Sequence, residues 1–99
     1  MNEEFVNNVR LLIKLAEIGN HKGRLANSIE EEIKKEFCAK EVTIHKIRNI
    51  KKKDYLFIGF YGLSQSKREF KKKWIKIKKN LRIKIYFIGP IVNTIKIKL

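Results

Sequence analysis

The sequence predicts an α+β domain in which two N-terminal helices precede a β-β-α-β-β unit with an antiparallel sheet. Two observations predict this class. Apolar residues recur at helical spacing over residues 3–37, and they alternate with polar residues over much of the chain beyond residue 41. Ninety-nine residues are enough for one hydrophobic core and too few for two. The chain is therefore predicted to form a single domain over residues 1–99, with a helical part at 1–40 and a sheet-helix part at 41–99.

The first predicted helix covers residues 3–18, where apolar side chains recur every three or four positions. Asn2 can cap its first turn, and Gly19 suits the left-handed conformation in which helices often end. Its apolar stripe consists of Phe5, Val6, Val9, Leu12, Ile13 and Ala16.

A second helix is predicted over residues 25–37. Ser28 followed by Glu31 has the spacing of a capping box, in which the two residues satisfy backbone N–H groups of the first turn. The predicted buried face consists of Leu25, Ile29, Ile33 and Phe37. The helix carries four acids, which make it a poor reader of a DNA groove: Glu30, Glu31, Glu32 and Glu36.

Two strands follow. Val42–Ile50 is rich in β-branched residues, and a slip in its alternation near His45 and Lys46 predicts a bulge. Lys51–Asp54 is predicted to be a turn. Tyr55–Tyr61 is apolar on both faces, which predicts a strand in the interior of the sheet.

A third helix is predicted to extend to Lys79. Ser66 and Glu69 form a capping box at its start, and Asn80 is the expected left-handed residue at its end. A strand through Trp74–Lys78 is the alternative, because its alternation is equally regular. Length and the two caps favour the helix, whose buried side would carry Phe70, Trp74 and Ile77.

The last two predicted strands start at Leu81 and Thr94 and are separated by a loop over residues 89–93. This loop would place Ile88 opposite Thr94, Tyr86 opposite Lys96 and Lys84 opposite Lys98. A winged-helix variant is the alternative fold. In that variant the Val42–Tyr61 hairpin would be the wing, with Lys51–Lys53 at its tip.

Charge is distributed very unevenly along the chain. Residues 1–40 hold seven Lys/Arg and seven Asp/Glu, whereas residues 41–99 hold seventeen Lys/Arg and three acids, so the second part carries the whole net charge of +14. Such a field repels itself unless an anionic partner neutralises it, and nucleic acid is a common partner of this kind. The sequence therefore predicts a polyanion-binding face in residues 41–99.

The predicted binding residues come from the turn, one flank of the third helix and the terminal hairpin. Arginine can bond to guanine through two hydrogen bonds, so Arg48, Arg68 and Arg82 are the candidates for base contacts. The lysines and the tyrosine would contact phosphate and sugar. The full set is Arg48, Lys51, Lys52, Lys53, Arg68, Lys71, Lys72, Lys76, Lys79, Arg82, Lys84, Tyr86, Lys96 and Lys98.

Three aromatic residues share one face of the second predicted strand: Tyr55, Phe57 and Tyr61. Over about seven residues this resembles RNA-recognition sheets, which stack bases on aromatic rings. Ile58 occupies the place where that motif has a basic residue. A strand packed on both faces explains the same residues and is the preferred interpretation.

A catalytic or metal site is not expected. His21, Cys38 and His45 are too widely spaced for a ligand set or a nucleophile–base pair. Asp54 with Glu69 and Lys71 resembles the acidic pattern of metal-dependent nucleases, but that pattern places Glu-x-Lys on a strand. We expect no catalytic residue, no cofactor and no metal ion.

The sequence thus predicts a non-enzymatic nucleic-acid-binding protein that acts as an accessory or regulatory factor, for instance of a plasmid or phage, with duplex DNA preferred over RNA. An RNA-binding or ribosome-associated protein is the first alternative. A small metal-dependent nuclease and a protein-targeting inhibitor are the others. The neutral helices are a candidate homodimer contact. A single cysteine and an acidic N-terminus predict a cytoplasmic protein with no membrane partner.

Overall fold

The computed structural model describes residues 3–48, 51–89 and 93–99. Within these ranges the chain forms three helices and four strands in the predicted α+β order. The elements are α1 (Glu3–Glu17), α2 (Arg24–Glu36), β1 (Glu41–Arg48), β2 (Asp54–Tyr61), α3 (Lys67–Leu81), β3 (Ile85–Ile88) and β4 (Asn93–Lys98). No helix of the described ranges is long and apolar enough to cross a bilayer.

The four strands form one antiparallel sheet in the order β1-β2-β4-β3. In the terminal hairpin Ile88 lies opposite Thr94 and Tyr86 opposite Lys96, which confirms the predicted register. The β1–β2 hairpin is part of this sheet, because β2 pairs with β4 from Tyr55 to Phe60. It is therefore not a projecting wing, and the winged-helix alternative does not describe the chain.

One hydrophobic core lies between the three helices and the inner face of the sheet. Phe37, which ends α2, is at its centre. Its ring is stacked on Trp74 at 5.0 Å and meets Phe5, Phe60 and Phe70 edge-on. These contacts join α1, α2 and α3 to β2, so the helices form a layer over one side of the sheet.

α2 begins within one residue of its predicted start, but its cap differs from the prediction. Its N-cap is Gly23, which has no side chain to cap the helix, and Ser28 lies inside the helix. The capping box at Ser28 is therefore wrong, as is the burial of Leu25, which is 50% exposed. Packing of Ala26, Ile29 and Ile33 in the core sets the helix start further upstream and overrides the local signal.

The third helix is confirmed, and so is its capping box, because the Ser66 hydroxyl accepts a hydrogen bond from the Glu69 backbone N–H at 3.2 Å. Its end was predicted wrongly. Arg82, not Asn80, has the left-handed backbone, with φ of 53°. The helix continues through Leu81 because that side chain packs against the core, so β3 is shorter than predicted and begins at Ile85.

β1 has no bulge. Its pairing with β2 is continuous from Glu41 opposite Tyr61 to Arg48 opposite Asp54. The apparent slip in the sequence arises because Ile47 lies on the outer face, where it is 50% exposed. The predicted cap at Asn2, the predicted strand end at Ile50 and the centre of the 89–93 loop fall outside the described residues.

Candidate nucleic-acid interface

The side of the sheet that faces away from the helices is open among the described residues. The prediction that β2 lies inside the sheet is confirmed, but only one of its faces is packed by helices, so the expectation of two packed faces is wrong. Alternate residues of the four strands therefore form a surface, which we call the sheet face. It consists of Glu41, Thr43, His45, Ile47, Tyr55, Phe57, Gly59, Tyr61, Lys84, Tyr86, Ile88, Thr94, Lys96 and Lys98.

Lys96 is at the centre of the sheet face. Its Nζ lies 4.2 Å from the ring centroid of Tyr55, 5.8 Å from that of Tyr86 and 6.0 Å from that of Phe57. The cation is drawn towards the negative faces of these rings. Three aromatic rings and an ammonium group are thus gathered within one patch, with Tyr86 47% exposed.

Further cations lie at one end of the sheet face. Lys98 is opposite Tyr55, and its backbone N–H donates to the carbonyl oxygen of Lys84 at 3.1 Å. The predicted proximity of Lys84 and Lys98 is therefore confirmed. The Lys51–Lys53 turn lies at the same end, because it leads into Asp54, whose carbonyl oxygen accepts from Leu99. Cations are concentrated at this end, whereas Glu41 lies opposite Tyr61 at the other end.

Gly59 is buried on the sheet face, where it pairs with Thr43 on one side and Thr94 on the other. A Cβ atom at this position would lie 2.9 Å from Thr43 Oγ1, 3.7 Å from the Tyr61 ring and 3.8 Å from Thr94 Oγ1. A side chain at this position would therefore crowd the Thr43 hydroxyl, which explains the glycine between two threonines.

A second basic surface lies on α3. Phe70, Trp74 and Ile77 are buried against the core, so the opposite side of the helix points away from the sheet. It surrounds an open groove of about 660 Å³. We call this surface the α3 face; it consists of Lys67, Arg68, Lys71, Lys72, Ile75, Lys76 and Lys79.

The structure divides the predicted site between these two surfaces. Lys84, Tyr86, Lys96 and Lys98 lie on the sheet face, with Lys51, Lys52 and Lys53 at its basic end. Arg68, Lys71, Lys72, Lys76 and Lys79 lie on the α3 face. Arg82 ends α3, two residues before Lys84. The basic residues of the sheet face and those of the α3 face therefore point in different directions. The sequence analysis predicted a single binding face for all of them.

Arg48 has a partner within the protein. Its Nε donates to Asp54 Oδ1 at 3.1 Å, and Lys46 Nζ lies 3.8 Å from the other carboxylate oxygen. Asp54 begins β2, whereas Glu69 lies in the first turn of α3, beyond the other end of that strand. The two acids of the nuclease-like pattern are thus far apart, and no cluster of three metal-ligating side chains occurs in the described ranges.

Sequence reasoning did not include Tyr55, Phe57, His45 or Tyr61 among the site residues, although all four lie on the sheet face. Their alternation along β1 and β2 was a visible signal. It was assigned to packing because the sequence does not reveal that helices cover only one side of the sheet.

Comparison of the chain with protein-family models, with curated protein sequences and with solved structures found no match.

Proposed function

We propose that the protein binds single-stranded nucleic acid on the sheet face, with RNA preferred over DNA, and that it acts as a binding protein rather than an enzyme. The observation that carries the proposal is the cluster of Tyr55, Phe57 and Tyr86 around Lys96 on an open sheet. Four-stranded sheets with exposed aromatic side chains bind unpaired RNA bases by stacking.

The sequence suggested duplex DNA ahead of RNA, and the proposal reverses this preference. Rings on a flat sheet reach only bases that are unpaired, because the faces of paired bases are stacked inside a duplex. The lysines of the sheet face supply the second component of such sites, a basic path for the phosphates. They also oppose self-association through this face, because a second copy would bring Lys84, Lys96 and Lys98 against their own counterparts.

A binding titration tests the proposal. Fluorescence anisotropy is measured with a labelled unstructured RNA of about 12 nucleotides, with DNA of the same sequence, and with the corresponding duplex. We expect the RNA to bind more tightly than the duplex. Tyr55→Ala and Tyr86→Ala should each weaken strand binding by about 1–3 kcal/mol, the usual effect of removing a stacking ring.

Leu25→Ala is the matched control, because Leu25 is a large apolar residue that is 50% exposed on α2. It should leave the affinity for RNA unchanged. Tighter binding of the duplex, or equal affinities of Tyr86→Ala and Leu25→Ala, would contradict the proposal. The single-stranded DNA tests whether RNA is preferred. If the DNA strand binds as tightly as the RNA strand, the proposed preference for RNA is wrong.

A further inference from the structure

The α3 face has no acidic partner within the described ranges. Among the described residues, none of its lysines or arginines forms an ion pair with a carboxylate. Lys71 contacts only an aromatic ring, with its Nζ 5.7 Å from the centroid of Phe87. Like charges at helical spacings of three and four repel one another, so this surface is unfavourable in the free protein.

The cations of the α3 face lie in a regular row. Arg68, Lys72 and Lys76 follow one another at intervals of four residues, which is about 6 Å along a helix axis. With Lys79 the row extends over about 16 Å. Ile75 is the only apolar residue of the α3 face, and the half-exposed ring of Phe87 lies beside it at Lys71. The regular row of cations therefore suits a backbone of phosphates.

The two surfaces face in opposite directions, because α3 packs on the inner side of the sheet with its basic side outward. They approach each other at the β3 edge, where Lys67 and Lys71 line a cleft together with Ile88 and Thr94. A strand seated on the sheet face would have to pass round an edge of the sheet to reach α3. The two surfaces can therefore be occupied at the same time by separate ligands.

We propose that the α3 face is a second nucleic-acid site that binds the phosphate backbone of a double helix, so that one molecule joins a single strand to a duplex. The role of the sheet face rests on the proposed function above. A duplex fits the α3 face because it presents a regular phosphate array and because its major groove admits an α-helix. Backbone contacts of this kind fix position without reading sequence.

A co-capture experiment tests the joining activity. A biotinylated DNA hairpin is fixed on beads, and a labelled RNA strand that is not complementary to it is added with the full-length protein. Retention of the RNA on the beads measures joining. The α3 variant carries Lys72→Gln, Lys76→Gln and Lys79→Gln, and the sheet variant carries Tyr55→Ala and Tyr86→Ala. The control variant loses three lysines of the neutral part through Lys14→Gln, Lys34→Gln and Lys35→Gln.

We expect the native protein and the control variant to retain the RNA and both other variants to lose it. The α3 variant should bind the RNA with unchanged affinity. For duplex binding by this variant, the slope of log K against log salt concentration should become less steep by roughly two to three units. Fluorescence of Trp74, the only tryptophan, reports whether each variant is folded.

Three outcomes would overturn the proposal. Retention of RNA by the α3 variant would show that joining uses another surface, such as the two sheet faces of a dimer. Equal loss of strand and duplex affinity in the α3 variant would show one continuous site. Unchanged duplex binding by the α3 variant would exclude the α3 face. A wrong assignment of the sheet face would give a different result. In that case the sheet variant would bind RNA as tightly as the native protein does.

Discussion

Phe37 connects all three helices to the sheet, because its ring contacts rings from α1, β2 and α3. It is fully buried. Replacement by alanine removes the apolar contacts and leaves a cavity between layers that cannot collapse freely. A single residue that ends α2 thus has a large effect on the whole domain.

We predict that Phe37→Ala lowers the free energy of unfolding by about 3–5 kcal/mol. Urea unfolding followed by Trp74 fluorescence measures this change, since the Trp74 ring is stacked on Phe37. Ile18→Ala is the control, because Ile18 is 76% exposed, and it should cost less than about 0.5 kcal/mol. Equal effects of the two substitutions would be inconsistent with a core centred on Phe37.

His21 is a residue at which we expect stability to depend on pH. Partial burial lowers the pKa of His21 below its ordinary value of 6.5, and Lys22, Lys46 and His45 add to the effect. Its Nδ1 is buried and has no hydrogen-bond partner among the described residues. The unfolded state therefore binds a proton more readily than the folded state as the pH falls below 6.5.

We predict that the stability contributed by neutral His21 is complete above pH 6.5 and is lost as the pH falls towards the lowered pKa. The melting temperature of the native protein should therefore drop between pH 7.5 and pH 5.5, and His21→Asn should drop less. A variant that loses as much stability as the native protein would show that other groups cause the dependence.

The terminal hairpin places two lysines side by side, which has a structural cost and supports the proposed binding of phosphate. Lys84 and Lys98 are neighbours on the sheet face, joined by a backbone hydrogen bond of 3.1 Å. Like charges on adjacent strands repel. A phosphate bound between them would remove that repulsion, so the same pair should weaken the free hairpin and strengthen the complex.

We predict two opposite effects of changing Lys84 and Lys98 together to glutamine. The free protein should gain a few tenths of a kcal/mol in stability. The salt dependence of strand binding should decrease by roughly one to two units of slope. Lys14→Gln with Lys34→Gln is the control and should leave the slope unchanged. A stabilised variant with the native slope would mean that the hairpin lysines only protect an edge strand.

The whole molecule carries a net charge of +14, and many of its cations lie on the sheet face and the α3 face. Repulsion of this kind destabilises the compact state and is screened by salt, with a Debye length of about 10 Å at 0.1 M. Charge repulsion should destabilise the α3 variant less than the control variant. The α3 variant loses three positive charges from the basic part of the chain, whereas the control variant loses them from the neutral part.

We predict that sodium chloride raises the melting temperature of the native protein by a few degrees between low and moderate salt, equivalent to roughly 1 kcal/mol for a domain of this size. The rise should be smaller in the α3 variant than in the control variant. Thermal melts followed by circular dichroism measure it. A melting temperature that falls with salt would contradict repulsion as the dominant long-range effect.

Features that depend on neighbouring residues were predictable from the sequence. Helical and alternating periods predicted the order of all seven elements, and the Ser66 capping box and the register of the terminal hairpin were also correct. The cap of α2, the end of α3 and the continuous pairing of β1 were not. At these three places packing of Ala26, Leu81 and Ile44 in the core outweighed local signals worth about 1 kcal/mol.

The order of the elements and the charge asymmetry follow directly from the sequence, because each is a property of composition or of short-range spacing. Only the tertiary structure decided that all three helices cover the same side of the sheet, which leaves Tyr55, Phe57 and Tyr86 on an open face around Lys96. It also decided that the cations form two surfaces, because the burial of Trp74 turns the lysines of α3 away from those of β4. Side chains of a strand alternate between its two faces, so the alternation alone does not show which face is buried. The buried face is set by the elements that pack on the sheet, and these are distant in the chain.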